Sequence, residues 1–183
     1  MDAERPRIEG PEGPYTITKT RVDSGAVRVH EATDAAGAAV LLAAPGLAAR
    51  LGRPALARLA GVSLTEEPGH LYSSEPHRAD GLAAAIRHVL ADYPTLKIGS
   101  VFAGLNGESL FAKEWGVAVI RNHPHFPDDC RLEHPADCLG DTGAASGLLL
   151  TALATQRHDA GPTLVWSAAD HAPRAAALLL ETQ

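Results

Sequence analysis

The sequence predicts an α/β domain in which helices are layered on a mixed five-stranded β-sheet, and three observations carry that expectation. Short apolar runs closed by glycine or proline alternate with segments of helical period. Two apolar strands, residues 163–168 and 175–181, end the chain around the polar turn Asp170-His171-Ala172-Pro173. Residues 142–155 contain Leu148, Leu149, Leu150 and Leu153 among alanines, glycines and hydroxyl residues, with no charge. A helix that is apolar all round is built for the middle of a layered fold.

The elements follow in chain order. Residues 1–23 read as a flexible or extended arm: Pro6, Gly10, Pro11, Gly13 and Pro14 break the start, and residues 15–22 alternate like a strand. The main domain is expected over residues 24–183. Residues 38–43 form an apolar run stopped by Pro45-Gly46, a buried strand, and residues 47–51 add one helical turn. Residues 55–65 mix helix-favouring Ala, Leu and Arg with Val62, Ser63, Leu64 and Thr65, and the β-favouring end tips the reading to strand.

Residues 80–92 place Leu82, Ile86, Val89 and Leu90 on one face, an amphipathic helix ended before Pro94. A buried strand is expected at residues 96–103, a tight turn at Gly104-Leu105-Asn106-Gly107, and a second helix at residues 108–122. Glu108 at the start of that helix and Arg121 at its end suit the macrodipole. Phe111 and Trp115 on it read as core.

Composition removes several function classes. The 183 residues are 45% hydrophobic and 21% charged, enough chain for one real core, and the net charge of −6 argues against a nucleic-acid partner. Two cysteines cannot make a disulfide framework, the first thirteen residues lack the apolar core of a signal peptide, and no apolar run spans a membrane. The expected localisation is cytoplasmic.

The segment from His134 to Gly147 carries the most chemistry. Asp141 is a natural N-cap for the amides that open the uncharged helix, and Gly143, Ala144, Ala145, Ser146 and Gly147 let another backbone approach. Asp141-Thr142-Gly143 also matches the short signature of aspartic proteases, but a helix-like segment follows it where a hydrophobic strand belongs. His123, His125, Asp128, Asp129, Cys130, His134, Asp137 and Cys138 offer zinc ligands. Their spacing fits no standard zinc module, and Pro124, Pro127 and Pro135 favour an extended, solvated connector, so no metal and no other cofactor is expected. Cys138 reads as a small buried residue on the strand approaching the turn. No P-loop, Rossmann fingerprint or nucleophile elbow is present.

From about Ser24 onward the order of these pieces resembles the C-terminal half of the thiolase-like fold, in particular β-ketoacyl-acyl-carrier-protein synthases. The residues that carry the resemblance are 36–42, 98–107, 140–147 and 163–181. Three further phrases resemble ketosynthase-like proteins encoded beside bacterial type VI secretion components. These are Glu75-Pro76-His77-Arg78-Ala79-Asp80-Gly81, then Leu105-Asn106-Gly107-Glu108 with Phe111-Ala112-Lys113-Glu114-Trp115, and the 134–147 segment.

What the resemblance implies is an interaction protein rather than a catalyst. Decarboxylative condensation uses an acylated cysteine, two neutral histidines and a lysine to stabilise an enolate. On this resemblance Gly104 stands at the first histidine position, Asp141 at the second and Ala136 at the lysine; the nucleophile-bearing half is missing. The family's Gly-Phe-Gly-Gly loop is replaced by Ala168-Ala169-Asp170-His171-Ala172-Pro173. No catalytic residue is therefore expected. Asn106, Glu108, Lys113, Glu114, His134, Asp137, Cys138, Asp141 and Thr142 remain as candidate site or interface positions.

The expected partner is a second copy or a separate protein supplying the missing half, with a type VI adaptor or effector as the client. An acyltransferase subunit completed by a cysteine-bearing partner is the alternative implied.

Overall fold

The computed structural model describes residues 55–156 and 161–182, Arg50, and the backbone of four strands ahead of residue 42. The chain divides into two compact units, Met1–Ala55 and Leu56–Gln183. In the first, β1 (Arg7–Gly10), β2 (Gly13–Val22), β3 (Arg28–Thr33) and β4 (Ala39–Leu41) pair in sequence order as an antiparallel meander, with a register shift between Ile17 and Lys19. The helical turn expected at residues 47–51 lies outside the described residues apart from Arg50.

The second unit carries the expected mixed five-stranded sheet. Its strands are β5 (Arg58–Glu66), β6 (Ser100–Ala103), β7 (Arg131–Glu133), β8 (Thr163–Ala168) and β9 (Pro173–Leu180), in spatial order β5-β9-β8-β6-β7. β6 runs parallel to both β7 and β8, whereas β9 is antiparallel to β8 and β5, so β9 alone opposes the other four. The alternation of the strands sorts their side chains into two cores. Val101, Ala103, Leu164, Trp166 and Leu178 face one side, and Phe102, Val165 and Leu179 face the other.

The first side is covered by α1 (Asp80–Leu90) and α2 (Ser109–Arg121). α1 buries Leu82, Ile86, Val89 and Leu90 as its period dictates, with Asp80 in its first turn and Arg87 in its last. Gly81 sits against β5: a Cβ there would meet the Glu66 and Glu67 backbone at 2.8 Å, so only glycine allows this approach. The preceding Ala79 takes a left-handed φ of 58°, and across it the Glu67 carboxylate accepts the Gly81 amide at 2.7 Å. Buried Asn122 ties the helices, its Nδ2 donating to Ala83 O at 3.2 Å and Ala118 O at 2.8 Å.

The other side is covered by α4 (Ser146–Thr155), giving the α-β-α layering. Within this chain the uncharged helix buries Leu150 and Ala154, while Leu148 is 64% exposed. The approach to α4 differs from expectation. The connector contains β7, and residues expected as strand form a short helix, α3 (Ala136–Leu139), which leaves Cys138 exposed rather than buried. Pro135 at the helix boundary explains this: its fixed φ suits a helix start, and His134 and Pro135 carbonyls accept the amides of Asp137 and Cys138. The expected strand at residues 96–103 begins at Ser100, because Ile98 and Gly99 donate instead to His125 and Pro162 carbonyls.

Candidate functional site

A cavity of about 470 Å³ opens where the carboxyl ends of β6 and β8 meet α3 and the start of α4. Parallel strands all present their ends on one side there, the usual place for a site in such a sheet. Its apolar lining includes Leu64, Leu105, Phe111, Leu139, Leu149 and Leu150; its polar lining includes Asn106, Asp141, Thr142, Ser167, Asp170 and His171.

All three positions expected to be degenerate line this cavity: Gly104 just after β6, Ala136 on α3 and Asp141 on the following loop. Gly104 donates its amide to Trp166 O, and a Cβ on it would lie 3.1 Å from both Ser167 Cα and Trp166 O. The atoms met are backbone rather than a flexible side chain, so a Cβ here needs the end of β8 to give by a few tenths of an ångström.

Asp141 accepts the Gly143 amide at 2.7 Å and Asn106 Nδ2 at 3.1 Å. The first of these, then the second, holds its carboxyl below the usual aspartate value of 3.8. The amide it caps belongs to a 3₁₀ turn, Gly143–Ala145, ahead of α4, rather than to α4 itself. A 3₁₀ turn and a helix, not paired strands, follow Asp141-Thr142-Gly143, so the protease signature lacks its setting. Thr142 bonds Ser146 through the two hydroxyls at 3.0 Å, and Asn106 Oδ1 accepts the Glu108 amide at 3.1 Å.

The remaining candidates lie away from the cavity lining. Glu108 occupies the N-cap position of α2 without a side-chain cap bond, and Lys113 is exposed on the same helix. His134 pairs with Asp137 at 2.8 Å on the surface beside the exposed Cys138. The ligand-rich stretch from His123 to Cys138 brings no three donors together, while His125 spends Nδ1 on Leu96 O. Cys130 is half-buried, and burial, then Asp129, pushes its thiol upward.

Glu114 belongs to a buried charge cluster that sequence reasoning missed. Glu114 Oε1 accepts from Arg174 Nε at 2.6 Å, Glu114 Oε2 lies 3.3 Å from His77 Nε2, and Glu67 stands beside them. Arg174 Nη1 also donates to the carbonyls of Ala169, His171 and Pro173 at 2.8, 2.6 and 3.0 Å. One guanidinium therefore folds the turn that rims the cavity. Donor atoms of Glu67, His77 and Glu114 all lie within 4.8 Å of one another. Their oxygens, however, are already served by the Gly81 amide and by Arg174, and the adjacent guanidinium disfavours a cation. The signals were present: Glu114 falls on the buried stripe of Phe111 and Ala118, and Arg174 is the one charge in β9.

The arrangement is an α/β unit with a cavity at its strand ends, and solved ketosynthase structures share its fold. A chain of a type II polyketide synthase acyl-carrier protein in complex with its ketosynthase matches with a TM-score of 0.67 at 13% identity, over 79% of this chain and 43% of that one. The ishigamide ketosynthase/chain length factor matches with a TM-score of 0.66 at 18% identity, over 80% and 43%. A ketosynthase domain of oxazolomycin biosynthesis from Streptomyces albus JA3453 matches with a TM-score of 0.62 at 16% identity, over 79% and 50%. The chain thus spans about half the length of these structures or less. No protein-family model matches the chain, and no curated protein matches it. Among the described residues no helix is long and apolar enough to cross a membrane.

Proposed function

We propose that this chain is a catalytically inactive ketosynthase-like interaction module, corresponding to the C-terminal thiolase-like half and completed by a second copy or by a separate protein carrying the other half. The observation that carries this reading is the cavity itself: Gly104, Ala136 and Asp141 meet in it where the resemblance calls for histidine, lysine and histidine. Gly104 offers no imidazole and lies close against the Trp166–Ser167 backbone, and Asp141 sets a carboxylate where an enolate would need donors.

The partner part rests on apolar surface. Leu148 on α4, and Val62 and Leu64 on β5, are 64%, 61% and 77% exposed. Val62 and Leu64 pair with Ala177 and Ala175 of β9, and Ala177 packs against the cluster that holds Leu150 and Ala154, so Val62 and Leu64 lie on the α4 side of the sheet. A role in type VI effector delivery rests on the three sequence phrases alone.

Sedimentation velocity of the purified protein at micromolar concentration tests the pairing: a dimer supports self-completion, and a compact monomer overturns it. If it is a monomer, capture of a cysteine-bearing half-synthase from the native host supports hetero-completion. Transfer of a carrier-bound acyl thioester by the assembled complex would overturn inactivity in favour of an acyltransferase subunit.

A further inference from the structure

We propose that the cavity at the ends of β6 and β8 binds an aliphatic carboxamide, an uncharged head on an apolar chain, with the amide carbonyl seated on Arg174 Nη2. The inference rests on reading that cavity as a ketosynthase-like site that binds without reacting, and it names the ligand class.

An unfinished guanidinium carries it. Arg174 lines the cavity and is 1% exposed. Its Nε donates to Glu114 Oε1 and its Nη1 to the carbonyls of the 169–173 turn, yet Nη2 is buried with no hydrogen-bond partner among the described residues. A buried N–H without an acceptor is destabilised, so an acceptor oxygen brought to it gains more than one brought to a solvated donor. Phe111 lines the same cavity with its ring centroid 5.8 Å from the guanidinium carbon, so the polar anchor adjoins an apolar wall. Leu105, Leu139, Leu149 and Leu150 extend that wall around a volume of about 470 Å³, room for a chain of several carbons.

The charge around Nη2 selects an uncharged acceptor. Glu114 already neutralises Arg174 at 2.6 Å, and the buried Glu67 belongs to the same cluster. A ligand carboxylate would bring a third anion to one guanidinium, whereas a carbonyl accepts from Nη2 and adds no charge. An ammonium has no lone pair and leaves Nη2 unserved. The rest of the polar lining suits the amide's own N–H groups, since the Ser167 hydroxyl, the His171 ring and the exposed carboxylates of Asp141 and Asp170 all carry lone pairs.

The test compares octanamide, octanoate and octylamine, matched in chain length, by calorimetric titration of the full-length protein at pH 7, where the acid is ionised and the amine protonated. Octanamide is expected to bind about tenfold more tightly than either. Arg174→Lys keeps a cation beside Glu114 but removes Nη2, and should bring octanamide to within about twofold of octanoate. A second readout needs no variant: in nitrogen-15 spectra of the parent protein the Arg174 Nη2 protons should move downfield as octanamide is added. Octanoate or octylammonium binding as tightly as octanamide, Nη2 protons that stay in place, or no octanamide binding at millimolar concentration each overturns the inference. Its failure is separable from that of the pairing proposal: a dimer that binds no amide sinks only the ligand class, and a monomer that binds it sinks only the pairing.

Discussion

Arg174 donates from Nε to Glu114 Oε1 at 2.6 Å, and both side chains are fully buried. The pair joins β9 to α2 beneath the cavity, and the same guanidinium holds the 169–173 turn through Nη1. Removing Arg174 leaves the buried Glu114 with His77, 3.3 Å away, in place of its guanidinium partner. Arg174→Met should cost about 3–5 kcal/mol of stability, read as a shift in the urea midpoint, whereas Arg174→Met with Glu114→Leu should recover only part of the loss, because the turn carbonyls that Nη1 served stay without their donor. A single variant as stable as the parent would show the ion pair to be energetically idle.

Placing at Gly104 the histidine that the proposed resemblance calls for should not create condensing activity. The 3.1 Å approach of a Cβ to Ser167 Cα and Trp166 O forces strand ends apart, so Gly104→His is expected to lose roughly 1–3 kcal/mol. Thermal denaturation measures the loss, and a carrier-thioester condensation assay should stay at background. Full stability in this variant would mean that the strand ends yield to the added side chain.

The Asp141 carboxyl, held low by Gly143 and Asn106, titrates below 3.8 in the folded chain. Because the folded value is depressed, the stabilisation is present above about pH 3.8 and is lost as pH falls through the lower folded value. Asn106→Ala removes one of the two donors and should move the carboxyl back upward, as a pH series of carboxyl chemical shifts would record. No movement would assign the whole effect to the Gly143 amide.

The two thiols should separate by reactivity. Cys138 is exposed on α3, whereas Cys130 is half-buried with its thiol pushed upward by burial and by Asp129. Labelling at pH 8 with a thiolate-selective reagent should modify Cys138 faster, on the order of tenfold. Equal rates would show that the connector around Cys130 opens on the labelling timescale.

The parts of the fold governed by period were legible in the residues. α1 follows its Leu82, Ile86, Val89 stripe, and the closing pair β8 and β9 follows from two apolar runs around Asp170-His171. Gly104, Ala136 and Asp141, singled out in three separate segments, line one cavity. What escaped was set by contacts distant in sequence. β7 is three residues long and exists because β6 lies beside it, with Ser100, Val101 and Phe102 opposite Arg131, Leu132 and Glu133. The Glu114–Arg174 pair spans sixty residues, and no local pattern announces which buried arginine meets which buried glutamate.

Leu148 supplies the last prediction, because it separates what stabilises the chain from what joins it to a partner. On a helix without a charge, its side chain is 64% exposed while Leu150 and Ala154 do the packing against Phe102 and Val165. Among the described residues, Leu148 is not part of that packing. Leu148→Glu should therefore leave monomer stability within about 0.5 kcal/mol, as surface substitutions do. If α4 is the face that a second half covers, the same change buries a carboxylate without a partner and should abolish association, a loss of at least about 2 kcal/mol in sedimentation equilibrium. Leu150→Glu is the opposite control, expected to unfold the domain. An assembly that survives Leu148→Glu unchanged would move the interface off α4, toward the exposed Val62 and Leu64 of β5.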